Sequence, residues 1–186
     1  MWNLMKRKRS ARNRRARRRV LLLLVVILAV LLLWPSPVEL DSLTSPKAIL
    51  MEADSGEVLA EKKADDPIYP ASMTKMMTAF LTLEANPDLD QPVILPEDIF
   101  PALQAEGASM AGFRPGETAT VRDLLYGALL PSGAECCEAL AREVSGSEEA
   151  FVEQMNQKAA ELGMHSTHFC NPTGLHDPEQ VSTVRD

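Results

Sequence analysis

The sequence predicts a mixed α/β (α+β) domain that follows an N-terminal targeting segment. Two short β-prone runs, 48–53 and 57–61, flank a turn at Asp54-Ser55-Gly56, which is the pattern of a β-hairpin. The segments after this hairpin carry apolar residues at three- and four-residue steps, the spacing of amphipathic helices. A hairpin followed mainly by helices indicates an α+β or α/β domain, and we expect its sheet to be unfinished at residue 186.

Basic and acidic residues are separated along the chain. The chain has a net charge of -7, but ten of its 19 basic residues lie within 6–19 and all 26 acidic residues lie at Glu39 or later. The basic stretch 1–19 runs directly into 20–34, fifteen residues without a charged side chain. A positive tract before an apolar run is typical of a signal peptide or signal anchor, and it disfavours nucleic-acid binding by the basic arm.

The orientation of this segment follows from its charge. Fifteen residues are fewer than the roughly 20 of an ordinary membrane span, but the flanking arginines can extend toward the interface. Because positive residues stay inside, 1–19 should be a cytoplasmic n-region and the acidic body should lie on the extracytoplasmic face of the cell membrane or be secreted. Whether 20–34 is cleaved stays open, since no clear cleavage site follows. A proline-containing linker, 35–46, leads to the domain at 47–186.

The elements after the hairpin are delimited by caps and breakers. A helix should begin near Ser72 and end near Ala85, and 92–95 should form a short strand. A helical turn at 97–104 and a glycine-rich loop at 107–116 follow. Three further helices are predicted at 121–130, capped by Thr120, at 134–144, and at 148–162, capped by Ser147 and ended by Gly163.

The cysteines do not indicate a disulfide framework. There are three, at 136, 137 and 170, so the count is odd and two are adjacent. We interpret them as small buried apolar residues. A zinc site built from Cys170 with His165 and His168 has acceptable spacing, but no second ligand pair completes it.

The first candidate catalytic residues are Ser72 and Lys75. They lie three positions apart near the start of a predicted helix, so the hydroxyl and the amine share one face. A neutral lysine can take the proton of a serine and make the hydroxyl a nucleophile, provided that its surroundings disfavour the ammonium form. Taken alone, the same pattern also describes an exposed N-cap serine beside a solvated lysine.

A second candidate segment is Ser132-Gly133-Ala134, sixty residues after Ser72. It interrupts two predicted helices, where a short loop can present a hydroxyl toward the first helix. Taken alone, it is best interpreted as a simple turn. Beside Ser72 and Lys75, it is similar to the second part of a three-part pattern: S-x-x-K, then S-x-N, then K-T-G.

At this point the chain resembles the D-alanyl-D-alanine carboxypeptidases, the serine-type low-molecular-mass penicillin-binding proteins. The resemblance covers about 46–186. It rests on the hairpin stretch 48–59, the stretch 70–78 around Ser72, the turn at 114–117, the approach to Ser132 at 123–133, and the stretch 171–177. It implies a penicillin-binding-protein/β-lactamase-like transpeptidase fold, here incomplete, with an N-terminal β-hairpin and a helical subdomain.

The resemblance also implies a chemistry. Ser72 would attack the bond between the two terminal D-alanines of a peptidoglycan stem peptide, Lys75 would take its proton, and Ser132 would relay a proton to the leaving D-alanine. β-Lactams would act as inhibitors by acylating Ser72. The expected partners are this stem peptide and the cytoplasmic membrane, with no nucleic acid and with no metal or other cofactor.

Two departures from the family pattern keep other functions open. Ala134 stands where the family usually has Asn, and the loss of one such hydrogen bond in a closed site costs about 1–3 kcal/mol. No K-T-G follows, so we expect a chain truncated before that motif and poorly active by itself. The alternatives are a catalytically inactive, membrane-anchored fragment that binds wall peptide or a protein partner, and another acyl-serine enzyme such as a β-lactamase or an endopeptidase.

Overall fold

The computed structural model describes residues 40–85 and 88–186. The predicted targeting segments, 1–19 and 20–34, and most of the linker lie outside these residues. The described elements, in chain order, are β1 (Ala48–Met51), β2 (Val58–Lys62), α1 (Thr74–Glu84), β3 (Pro92–Ile94), α2 (Ile99–Ala105), β4 (Thr118–Thr120), α3 (Val121–Leu129), α4 (Ala134–Ser145) and α5 (Glu148–Glu161).

The strands form two separate antiparallel pairs. β1 pairs with β2 in the antiparallel direction, as the predicted hairpin requires. Ala48 lies opposite Lys62, and the register shifts between Leu50 and Met51. β3 pairs with β4, with Val93 opposite Ala119. The sequence did not predict β4, because three residues are too few to show an alternating pattern.

Helix α4 lies at the centre of the helical part and packs against α1, α2, α3 and α5. Its residues 134–141 are all buried, and Cys136 and Cys137 have no exposed surface. This burial confirms the interpretation of these two cysteines as small core residues. Cys170 is half-buried, and all three thiols are free. A central helix this tightly surrounded fixes the position of the loop that precedes it, and that loop contains Ser132.

The predicted caps position the helices on either side of that loop. The Thr120 side chain accepts a bond from the backbone N–H of Asp123 while the Asp123 carboxylate accepts from the N–H of Thr120, a complete capping box for α3. The Ser147 side chain accepts from the N–H of Ala150 and caps α5 by this single bond. Both predicted caps are confirmed.

The final described segment returns to the start of the domain. Backbone bridges join Ile68 to Ser182 and His168 to Val181. The Arg185 guanidinium contacts the carboxylates of Asp65, at 2.5 Å, and Glu61, at 2.6 Å. These contacts hold the chain that enters the Ser72 turn.

Across residues 40–85 and 88–186, no helix is both long and apolar enough to cross a membrane. Within the same ranges, no three His, Cys, Asp or Glu side chains form a cluster suited to a metal ion.

Candidate active site

Ser72 lies in a single 3₁₀ turn, Ala71–Met73, directly before α1. Pro70 precedes this turn, and the side chain of Ser72 is exposed to solvent. Lys75 is the second residue of α1, so one turn of helix separates the two side chains. The Lys75 Nζ lies 3.3 Å from the Ser72 Oγ, which places an amine within hydrogen-bond reach of an accessible hydroxyl.

Lys75 is buried although it carries an ionisable amine. Only 5% of the residue is exposed, and its Nζ donates a hydrogen bond to the carbonyl oxygen of Thr173. Burial lowers the pKa of Lys75 below its ordinary value, while the nearby groups of Cys137 and Glu135 oppose this shift. A lowered pKa raises the fraction of Lys75 that is neutral at a given pH, and only the neutral amine can accept a proton from Ser72.

Ser132 meets the same hydroxyl from the opposite side. Its Oγ donates a hydrogen bond of 2.9 Å to the Ser72 Oγ. The loop that carries Ser132 places this residue at φ +67°, in the left-handed region that residues other than glycine seldom occupy. The structure therefore brings all three predicted site residues, Ser72, Lys75 and Ser132, into one hydrogen-bonded group.

The backbone before Ser72 is equally unusual. Ala71 has φ +48°, and it packs closely against Gly174. A Cβ added at Gly174 would lie 1.9 Å from the Ala71 carbonyl oxygen and 3.0 Å from the Ser72 nitrogen. Left-handed non-glycine residues cost free energy and persist only where surrounding contacts impose them. Two such residues, Ala71 and Ser132, flank the Ser72 hydroxyl, which indicates that the surrounding contacts hold this site in a specific geometry.

The loop 171–174 supports Lys75, and the sequence alone did not predict this role. Asn171 Oδ1 accepts bonds from the backbone N–H groups of Thr173, at 3.2 Å, and Gly174, at 2.8 Å. Thr78 Oγ1 donates to the Pro172 carbonyl oxygen at 2.6 Å, which attaches the loop to α1. The signal available in the sequence was the turn composition of 171–174, but composition does not show which side chain the loop approaches.

Glu135 is a second residue that the sequence analysis missed. It has no exposed surface, and its Oε1 accepts from the backbone N–H groups of Ala111, at 2.7 Å, and Gly112, at 2.9 Å. Gly133 packs against the same segment, since a Cβ there would lie 2.6 Å from the Ala111 Cβ. The glycine and the carboxylate together attach the predicted loop 107–116 to the turn that presents Ser132.

Ala134, the departure from the family pattern, is fully buried beside this turn. Its backbone N–H donates to the Ser109 carbonyl oxygen at 2.8 Å, and its methyl group offers no polar atom to the site. The polar side-chain groups that meet the Ser72 hydroxyl are therefore the Ser132 hydroxyl and the Lys75 amine.

A serine within hydrogen-bond reach of a buried lysine one helical turn away, with a second serine across it, is the arrangement typical of the acyl-serine enzymes that share the S-x-x-K pattern. The family model of D-alanyl-D-alanine carboxypeptidases matches residues 35–186. The chain belongs to this family, as its resemblance in sequence predicted.

Relatives in several bacteria carry related names. The chain is 43% identical over 143 residues to the D-alanyl-D-alanine carboxypeptidase DacF of Bacillus subtilis, covering 75% of this chain and 36% of that protein. It is 40% identical over 157 residues to DacC of Escherichia coli, covering 80% and 39%. A D-alanyl-D-alanine endopeptidase of Pseudomonas aeruginosa is 36% identical over 144 residues, covering 77% and 45%.

Solved structures confirm the fold class. The Streptomyces K15 DD-transpeptidase superposes with a TM-score of 0.73 at 33% identity, covering 78% of this chain and 58% of that one. Penicillin-binding protein 6B of Escherichia coli gives 0.75 at 30% identity, covering 82% and 49%. The chain thus has part of a penicillin-binding-protein fold, and it spans well under half the length of the first two relatives.

Proposed function

We propose that the protein is a serine-type D-alanyl-D-alanine carboxypeptidase that removes the terminal D-alanine from peptidoglycan stem peptides. The observation that supports this most directly is the Ser72 hydroxyl, which lies 3.3 Å from the Lys75 amine and 2.9 Å from the Ser132 hydroxyl. The named relatives favour the same reaction, because D-alanyl-D-alanine carboxypeptidases recur among them.

The acylation step uses all three side chains. The neutral Lys75 amine takes the hydroxyl proton as the Ser72 Oγ bonds to the carbonyl carbon between the two D-alanines. The tetrahedral intermediate collapses when the C–N bond breaks, and the leaving nitrogen receives a proton through Ser132. D-alanine departs and an ester remains on Ser72. Water then attacks this ester, the stem peptide is released, and the proton returns to the Ser72 oxygen.

The developing oxyanion needs donors near Ser72. The backbone N–H of Ser72 lies at the start of α1, where the helix dipole favours negative charge. The contact between Gly174 and the Ala71–Ser72 peptide fixes the direction of this N–H. We assign it the role of one oxyanion donor.

The same proposal places the reaction outside the cytoplasm. The basic stretch 1–19 and the apolar run 20–34 support a signal peptide or a signal anchor, with the domain on the extracytoplasmic face. The substrate class agrees with this location, since stem peptides belong to the cell wall. A fusion of alkaline phosphatase after Asp186 should be active in whole cells. A β-galactosidase fusion that is active at the same position would contradict the topology.

Labelling with a fluorescent penicillin tests the assignment of Ser72. The full-length protein should acquire a covalent label, since a β-lactam acylates the same hydroxyl, and Ser72→Ala should abolish it. Ser166→Ala is the matched control, because Ser166 is exposed and, among the described residues, only its backbone N–H, which donates to Asp186 Oδ2, makes a hydrogen bond. Label that persists in Ser72→Ala would remove Ser72 as the nucleophile.

Ala134 favours a second candidate function, a catalytically inactive domain that binds wall peptide. A methyl group at this position cannot hold a substrate carbonyl, so binding and turnover can separate. Stem peptide that is retained by the protein without release of D-alanine, together with an absence of penicillin labelling, would establish this alternative. Faster hydrolysis of penicillin than of stem peptide would instead indicate a β-lactamase, and cleavage within cross-linked peptides an endopeptidase.

A further inference from the structure

A cavity is lined in part by Thr173, the residue whose carbonyl oxygen accepts the hydrogen bond from Lys75. It has a volume of about 340 Å³ and lies between α2, the middle of α4, the start of α5 and the loop 171–177. This volume is at the lower end of the range found for small-molecule sites. Its charged lining residues are Asp98, Glu106, Glu138, Arg142, Glu148 and Asp177.

The charge of this lining is strongly one-sided. Arg142 is its single cation, and the guanidinium already contacts both oxygens of Asp98, at 3.0 and 2.8 Å. The remaining carboxyl groups come from separate elements: Glu106 follows α2, Glu138 lies in α4, and Glu148 begins α5. In the part of the chain that the structure describes, no other cation lines the cavity to pair with these carboxyl groups, so its lining has an excess of acidic side chains.

Glu138 is the lining residue of this cavity that has a buried side-chain oxygen without a partner. The residue is only 6% exposed, and its Oε2 is buried without any hydrogen-bond partner. A buried carboxyl oxygen with no partner costs free energy, and native structures rarely retain one without a reason. A neighbouring α4 position such as Ala141 shows that an apolar residue is accommodated on this helix at full burial.

We propose that this cavity binds a small organic cation through a primary ammonium group. An ammonium has three donors that point in different directions, which suits carboxyl groups arriving from separate elements. A guanidinium is a planar fork that matches one carboxylate at a time. A metal ion fits less well, since residues 40–85 and 88–186 contain no cluster of three ligands with suitable geometry.

The protonation of Glu138 gives this proposal a quantitative signature. Burial, and then the negative groups of Glu148, Glu106 and Glu149, raise the pKa of Glu138 to about 8, with Arg142 opposing them. His176 and Asp177 face the cavity from the loop 171–177. An ammonium ion should pair with the ionised carboxylate, so binding releases the Glu138 proton. Between pH 9 and pH 7 the ionised fraction falls about tenfold, and the apparent affinity should fall by the same factor.

Calorimetric titration of the full chain with 1,4-diaminobutane tests the proposal, which does not depend on chemistry at Ser72. We expect saturable binding at pH 9 and an affinity about tenfold weaker at pH 7. Glu138→Gln should abolish the binding at both pH values. Glu143→Gln, the same change at an exposed position of α4, should leave it intact. Butane-1,4-diol, which has the same length without charge, should not bind.

Several results would overturn the proposal. These are the absence of saturable heat from the diamine, equal binding of the diol, or unchanged binding in Glu138→Gln. Saturable binding of magnesium ion that Glu138→Gln removes would show a metal site instead. If Glu138→Gln does not fold, as judged by circular dichroism, Glu148→Gln decides: weakened binding supports the ammonium site, and unchanged binding refutes it.

Discussion

The hydroxyl of Ser132 donates a hydrogen bond to the hydroxyl of Ser72 across a separation of sixty residues. The Lys75 amine approaches the same Ser72 oxygen, so this oxygen accepts from two sides in the state described here. For Ser72 to attack, the bond to Lys75 must reverse, with the serine donating and a neutral amine accepting. In the proposed mechanism, the protonation state of Lys75 therefore decides whether Ser72 is able to attack a substrate.

Replacing Ser132 with alanine should slow acylation by about 10²-fold, because the proton relay to the leaving group is lost. Ser72 and Lys75 remain in place, so slow labelling should persist. The measurement is the rate of reaction with a fluorescent penicillin in the full-length protein, with Ser166→Ala as the control. An unchanged rate would assign Ser132 a purely structural role.

Replacing Lys75 with arginine should abolish acylation although the positive charge is kept, since a guanidinium does not give up its proton. In the wild type, burial lowers the pKa of Lys75, so acylation should rise with pH and level off below the ordinary value for lysine. A rate profile between pH 5 and pH 10 measures this. A flat profile would show that Lys75 does not act as the base.

Replacing Gly174 with alanine should destabilise the fold and disable Ser72 together. The added Cβ meets the Ala71 carbonyl at 1.9 Å, so the Ser72 turn must shift. Gly163→Ala is a close control, because Gly163 has φ +80° against +81° for Gly174 and an added Cβ meets nothing within 4 Å. Both changes carry the backbone cost of about 1–2 kcal/mol. Only Gly174→Ala should lose penicillin labelling, and its melting temperature should fall further than that of Gly163→Ala. Equal effects of the two substitutions would refute the steric argument.

Replacing Glu138 with glutamine should change how stability depends on pH. The folded chain keeps the Glu138 proton up to a pKa of about 8, whereas the unfolded chain releases it near the ordinary glutamate pKa of 4.5. The Glu138 proton therefore contributes its full stabilisation of the folded wild type below pH 4.5, and this contribution is lost as the pH rises through 8. We expect the melting temperature of Glu138→Gln, relative to that of the wild type, to rise as the pH is raised from 5 to 9. Glu138→Gln should be the more stable protein at high pH. Parallel curves would contradict the raised pKa.

The sequence predicted most of the elements because their signals are local. Thr120 and Ser147 mark helix starts through bonds to residues three positions away, and the turn at 54–56 sets the hairpin register within a few residues. The spacing of Ser72 and Lys75 also follows from a single helical turn.

The supporting residues of the site escaped prediction because their partners are distant in sequence. Glu135 contacts the backbone of Ala111, and Lys75 contacts the carbonyl of Thr173 across 98 residues. Neither pairing leaves a pattern in a single sequence, and a backbone carbonyl acceptor has no residue type to recognise. The left-handed conformations of Ala71 and Ser132 are imposed by the same distant packing, not by local preference.

The long separation between Lys75 and Thr173 also sets an order of events while the chain is being synthesised. A chain that emerges N-terminus first presents the Ser72 hydroxyl well before the loop that seats its lysine has appeared. Until residues 171–174 arrive, that lysine is an ordinary solvated ammonium and the hydroxyl is as unreactive as any surface serine. In the proposed carboxypeptidase, the Ser72 hydroxyl would therefore become reactive toward a substrate or a β-lactam only after nearly all of the described domain has folded.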